Sequence, residues 1–95
     1  MWLVYILRSV SSGKLYTGIT NNLSKRLLAH NKGTGAKCTR AGRPWVVVYQ
    51  EPARDKSEAL KREIVIKKKT RAEKLNLIRG YTLNRPLGSG PTIPS

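Results

Sequence analysis

Tyr16-Thr17-Gly18-Ile19-Thr20-Asn21-Asn22-Leu23-Ser24-Lys25-Arg26-Leu27-Leu28-Ala29-His30 is the stretch on which the reading of the chain turns. It opens as a strand, with Leu15, Thr17 and Ile19 alternating with Tyr16 and Gly18. Asn21 and Asn22 are helix caps by type. The helix expected from there to Asn31 carries Leu23, Leu27 and Leu28 on an apolar arc, with Gly33 as its stop. Arg26 and His30 stand four apart, so they share one side of that helix, along the edge of the leucine arc. A side chain on such an edge is partly buried and still reaches a ligand. One strand, one turn and one helix thus bring a tyrosine, an arginine and a histidine towards one place.

Upstream, Trp2 to Leu7 is continuously apolar, as in a strand covered on both faces. Ser11-Ser12-Gly13-Lys14 reads as the turn that pairs it antiparallel with the strand at Leu15, so Tyr5 and Tyr16 share a hairpin. Downstream, residues 32–44 form a loop with Gly33, Gly35 and Gly42 among the cations Lys32, Lys37, Arg40 and Arg43. Trp45 to Tyr49 is a β-branched third strand, expected to end at Pro52. A helix is expected from about Asp55 to Lys69, its apolar spacing set by Ala59, Leu60, Ile64 and Ile66. Thr70-Arg71-Ala72-Glu73 fits a capping box and restarts a short helix through Leu75, Leu77 and Ile78, closed by Gly80. Residues 81–95 hold Pro86, Pro91 and Pro94 and read as a disordered, dispensable tail. The order ββαβαα implies an α+β fold, a small three-stranded antiparallel sheet flanked by helices, in one domain of residues 1–80.

The charge is lopsided: nineteen Lys and Arg against five Asp and Glu give +14. Such a field favours a polyanion, and nucleic acid is the expected partner, DNA rather than RNA. The loop cations Lys32, Lys37, Arg40 and Arg43 are its expected backbone contacts. No apolar run is long enough to span a bilayer, and a membrane partner is not expected. The start M-W-L-V-Y-I-L lacks the features of a signal peptide, and one cysteine, Cys38, makes no internal disulfide. A cytoplasmic protein is expected.

Glu63 falls within the apolar arc of the second long helix, with Lys67 one turn on. A carboxylate there needs a positive partner. Either it pairs with Lys67 or an arginine, or it holds a hard divalent cation, which one or two carboxylates plus phosphate and water suffice to bind. Tyr5 and Tyr16 are packing residues if taken singly. Beside Arg26 they are candidates for proton chemistry, because cations favour the phenolate. His30 is a packing or capping residue, or a proton carrier beside phosphate. Arg26 offers a planar fork that matches phosphate oxygens.

With these residues in view the chain resembles the GIY-YIG nuclease superfamily in its stand-alone, single-domain bacterial form. The first half-motif appears as Leu3-Val4-Tyr5 and the second as Tyr16-Thr17-Gly18, with ten residues between the tyrosines. Arg26, His30, the run Gly33 to Lys37 and the late Glu63 follow in the family's order. The departures are Leu3-Val4 for Gly-Ile, Ile19 where some members have lysine, and Cys38 where related small proteins have an aromatic. The resemblance implies a phosphodiester hydrolase using a single Mg²⁺ or Mn²⁺. Glu63 would hold the metal, Arg26 would bind the scissile phosphate, Tyr5 or Tyr16 would activate water, and His30 would assist proton movement. Appended domains supply targeting in larger members, so a protein partner is expected to do so here. The rival readings are a nucleic-acid-binding module of the same fold without cleavage and a protein-interaction domain.

Overall fold

The computed structural model describes residues 1–33 and 42–84. Its elements run β1 (Trp2–Ser9), β2 (Leu15–Thr20), α1 (Leu23–Lys32), β3 (Trp45–Ala53), α2 (Lys56–Lys67) and α3 (Arg71–Asn84). The three strands form one antiparallel sheet in the order β2-β1-β3, so the expected α+β architecture is the one observed.

The apolar run of β1 takes the centre of that sheet, and Val4, Tyr5, Ile6 and Leu7 are all fully buried. Alternation then divides two cores. Val4 and Ile6 pack with Tyr49, Ala59 and Ile66, flanked by Leu77, Ile78 and Tyr81. Tyr5 and Leu7 pack with Trp45, flanked by Tyr16, Leu23 and Leu27 of the α1 side. Each such aliphatic side chain contributes about 1.5–3 kcal/mol when fully buried. The sheet therefore presents Tyr5 and Tyr16 to α1, and Val4, Ile6 and Tyr49 to α2 and α3.

Local signals set the element ends. In the hairpin, Ser9 N donates to Lys14 O at 2.9 Å and Gly13 takes a positive φ of 75°. Asn22 caps α1 by accepting from Lys25 N at 3.1 Å, and Gly33 closes it at φ 85°. Asp55 caps α2 by accepting from Glu58 N at 2.9 Å. The capping box at α3 is reciprocal: Thr70 N donates to Glu73 Oε1 at 2.8 Å, and Glu73 N to Thr70 Oγ1 at 3.2 Å.

Several expectations need correction. Pro52 lies inside β3, opposite Leu3, because β3 is an edge strand and an edge tolerates a missing N–H. Leu28 on α1 is exposed, as are Leu60 and Ile64 on α2 and Leu75 on α3. The helix of α2 stops at Lys67, and Gly80 does not close α3. Tyr81, placed in the tail by its sequence context, is helical and packs edge-on against Tyr49 with ring centroids 5.3 Å apart. Its hydroxyl accepts from Gln50 Nε2 at 3.2 Å. That docking outweighs the roughly 1 kcal/mol a glycine costs within a helix. Residues 85–95 lie outside the described residues.

Two further contacts hold the helices in place. Arg62 Nε donates to Glu51 Oε2 at 2.9 Å, and Tyr49 donates to the other oxygen of the same carboxylate. This ties α2 to β3 one residue before Glu63. Arg71 Nη2 donates to Gly13 O at 3.0 Å, joining the start of α3 to the hairpin tip.

Truncation after Gly80 is expected to lower the melting temperature by several degrees, since losing about 1 kcal/mol shifts a domain of this size by about 4–8 °C. Tyr81→Ala reproduces most of that loss. An unchanged melt in both variants contradicts the docking of Tyr81.

Candidate active site

Gly18 and Tyr5 sit directly opposite one another across β1 and β2. A Cβ on Gly18 would stand 2.7 Å from the Tyr5 hydroxyl oxygen and 2.8 Å from its Cζ, with Tyr16 Cε2 at 3.2 Å. No side chain fits there, so the absence of one lets the Tyr5 ring lie across β2 towards α1. A glycine inside a strand often marks this kind of close approach. Gly18 was not among the candidate site residues read from the sequence, although a glycine inside a strand was visible there.

The Tyr5 hydroxyl reaches His30 Nε2 at 3.1 Å. The rings of Tyr16 and His30 meet edge-on with centroids 5.0 Å apart, and Tyr5 and Tyr16 are 6.4 Å apart. The Arg26 guanidinium lies beside both phenols, and its interaction with Tyr5 chiefly raises its pKa. The structure thus gathers Tyr5, Tyr16, Arg26 and His30 from β1, β2 and α1. Glu63 joins from α2, and its charge is felt at Tyr5.

The exposures differ from the sequence expectation at one point. His30 is wholly buried rather than at a partly open edge, because its ring fills the space beside Tyr5 and Tyr16. Burial, and then the Arg26 charge, push its pKa below the ordinary value. It is a neutral imidazole near pH 7. Burial also pushes the Tyr5 phenol above its usual range; the Arg26 hydrogen bond opposes this, while Tyr16 and Glu63 add to it. Tyr5 is therefore a protonated phenol at neutral pH. A protonated phenol has its proton to donate, and a neutral His30 can accept it at Nε2, 3.1 Å away. Tyr16 and Arg26 are half-buried, at the open side of the cluster.

Glu63 pairs with Lys67 at 3.3 Å, as one of the two sequence alternatives had it. The pair is not a buried one, since the Lys67 side chain is 55% exposed and that of Glu63 is 16% exposed. Among the described residues, no three His, Cys, Asp or Glu side chains group closely enough to hold a metal ion. A lone, half-buried carboxylate still fits a hard cation whose other ligands are phosphate oxygens and water.

Of the expected nucleic-acid contacts, Lys32 and Arg43 are exposed at the two described ends of the α1–β3 loop. Lys37 and Arg40, with Cys38, lie outside the described residues. Asn31 was missed altogether. Its Oδ1 accepts from Trp45 N at 2.6 Å and its Nδ2 donates to Trp45 O at 3.2 Å, clipping the end of α1 to the start of β3. An asparagine in a helix carries no mark of a partner fourteen residues away. Among the described residues, no helix is long and apolar enough to cross a membrane.

A hairpin thus sets two tyrosines beside an arginine, with a glutamate approaching from a later helix, the residues that the resemblance to a nuclease family singled out. The chain belongs to the GIY-YIG family: the family model described as the GIY-YIG catalytic domain matches residues 1–76. Its relatives include a UPF0213 protein of Staphylococcus aureus, 51% identical over 76 residues, which span 80% of this chain and 92% of that one. Another, from Desulfotalea psychrophila, is 46% identical over 79 residues, or 82% of this chain and 71% of its own length. The solution NMR structure of a UPF0213 protein from Bacillus halodurans resembles this fold with a TM-score of 0.52 and 35% identity, covering 83% of this chain and 84% of that one.

Gly18→Ala is expected to displace both tyrosine rings. Overpacking of this kind costs about 1–3 kcal/mol. A thermal melt and the Tyr5 and His30 ring signals in NMR check it; unshifted signals with an unchanged melt contradict the account.

Proposed function

We propose that the protein is a metal-dependent endonuclease that hydrolyses phosphodiester bonds in DNA. The observation that carries this reading is the convergence of Arg26, Tyr16 and Tyr5 on one side of the sheet with Glu63 in electrostatic reach. The +14 charge supports a polyanionic substrate.

In this reading the two tyrosines divide the work. Tyr5 is fully buried and its hydroxyl is committed to His30 and Arg26. A group that takes a proton from water must reach water, and Tyr16 is the phenol nearer to solvent. Tyr16 is therefore the water-activating group, and Tyr5 a positioning residue that aims Arg26. Arg26 is the cationic neighbour of both tyrosines. Arg26 also has the fork that binds the non-bridging oxygens of the scissile phosphate and the charge that develops on them. His30 stays neutral and fixes the Tyr5 hydroxyl; its burial replaces the proton-carrier role with an orienting one. Glu63 would hold Mg²⁺ or Mn²⁺, which would supply Lewis-acid stabilisation of the charge that develops on the phosphate. Lys32 and Arg43, both exposed, would meet the DNA backbone in this reading. A protein partner that supplies targeting belongs to the same proposal, as does the cytoplasmic location.

The test compares wild type, Glu63→Gln and Tyr16→Phe on supercoiled, duplex and branched DNA, with and without Mg²⁺ or Mn²⁺. Both variants are expected to lose cleavage while still binding DNA. Glu63→Gln is expected to melt within a few degrees of wild type, because an ion pair with an exposed lysine contributes only about 0.2–1 kcal/mol. Binding without cleavage by the wild type, on every substrate and with both metals, overturns the enzyme in favour of a nucleic-acid-binding module.

A further inference from the structure

The Glu63–Lys67 pair is unequal in its surroundings. The carboxylate is largely enclosed, close enough to Tyr5 for its charge to act there, whereas the lysine stem is mostly in solvent. Ion pairs one helical turn apart with an exposed member are weak, so this ammonium leaves its partner readily. The carboxylate is less free, since an enclosed negative charge needs a positive neighbour at all times. Three further facts bear on what that neighbour is. Among the described residues, Glu63 belongs to no group of three or more His, Cys, Asp or Glu side chains that could hold a metal ion. The chain carries +14, a field that repels a free dication. Lys67 is at the last turn of α2, followed by Lys68 and Lys69, so its ammonium has no need of Glu63 to stay at this surface.

We infer that Lys67 stands in for the divalent cation at Glu63 in the substrate-free protein, so that metal enters by displacing it, weakly when alone and more favourably together with phosphate. The inference rests on Glu63 being the metal-holding group of the proposed function. One carboxylate against one resident ammonium gives a dication little to gain. The phosphate of the substrate changes that balance by bringing oxygens of its own. The exchange conserves the pairing of Glu63: one cation leaves as the other arrives. The released Lys67 ammonium then lies next to an arriving phosphate, which is its natural partner. Metal uptake and DNA binding are thereby linked, and each strengthens the other. Lys67 is a positioning residue in this scheme, acting through Glu63.

Titration of the substrate-free protein with Mn²⁺ alone, followed by the paramagnetic resonance of the free ion, tests this at low salt. Wild type, Lys67→Gln, Lys67→Arg and Glu63→Gln are compared, each with a thermal melt to show that it is folded. Lys67→Gln is expected to bind Mn²⁺ about 1.4- to fivefold more tightly than wild type, the range set by exposed ion pairs. Lys67→Arg, which keeps the charge, stays near wild type, and Glu63→Gln loses the site. Equal or weaker binding by Lys67→Gln, with the site lost in Glu63→Gln, overturns the role of Lys67 and leaves the proposed function standing. Mn²⁺ binding that survives Glu63→Gln instead removes Glu63 as the metal-holding group and the inference with it. No measurable binding by Lys67→Gln also overturns the inference.

Discussion

The approach of the Tyr5 ring to the bare backbone of Gly18 is the constraint from which the site follows. Tyr5 lies on the central strand, where its backbone is held on both sides. Its ring must still cross the neighbouring strand to meet α1, and only a residue without a Cβ leaves room. Once the ring lies there, its hydroxyl falls on His30, and His30 fixes the turn of α1 that also carries Arg26. Arg26 is then presented to both phenols. A single absent side chain thereby sets the positions of three others.

Burial sorts these groups by protonation. The interior pair, Tyr5 and His30, is pushed towards its neutral forms, with the proton shared along one hydrogen bond. A charge inside that pair would be expensive, and the cation it does meet, Arg26, lies nearer the surface. The outward groups, Tyr16 and Arg26, remain available to a substrate. The carboxylate of Glu63 is delivered from the other helical layer, held in register by the Arg62–Glu51 bond one residue earlier. The site is thus assembled from two layers around one edge of the sheet, and its electrostatics depend on both.

Much of this was legible in the chain. The continuous apolar run of β1, the alternation in β2, the asparagine and aspartate caps, the Gly33 stop and the Thr70–Glu73 box are local signals, and each forms as read. What the chain concealed depends on tertiary neighbours. Pro52 ends a strand only if that strand is central, and strand order is not written locally. Gly80 ends a helix unless the next residue finds a dock, and Tyr49 provides one. Leu60 and Ile64 look like core on a helical wheel, yet only one flank of α2 meets the sheet. The five site residues could be named from motif order, but the burial of His30 depends on a tyrosine twenty-five positions away.

The most direct measurement of the central claim is the tautomer and charge of His30, read by long-range proton–nitrogen NMR correlations between pH 5 and 8. The account predicts a neutral ring at pH 7 with the proton on Nδ1 and Nε2 accepting from Tyr5. Because burial and Arg26 lower its pKa, the ring stays neutral as the pH falls through the ordinary histidine value of about 6.5. An imidazolium at pH 7, or a neutral ring with its proton on Nε2, contradicts the network on which the positions of Tyr5 and Arg26 depend.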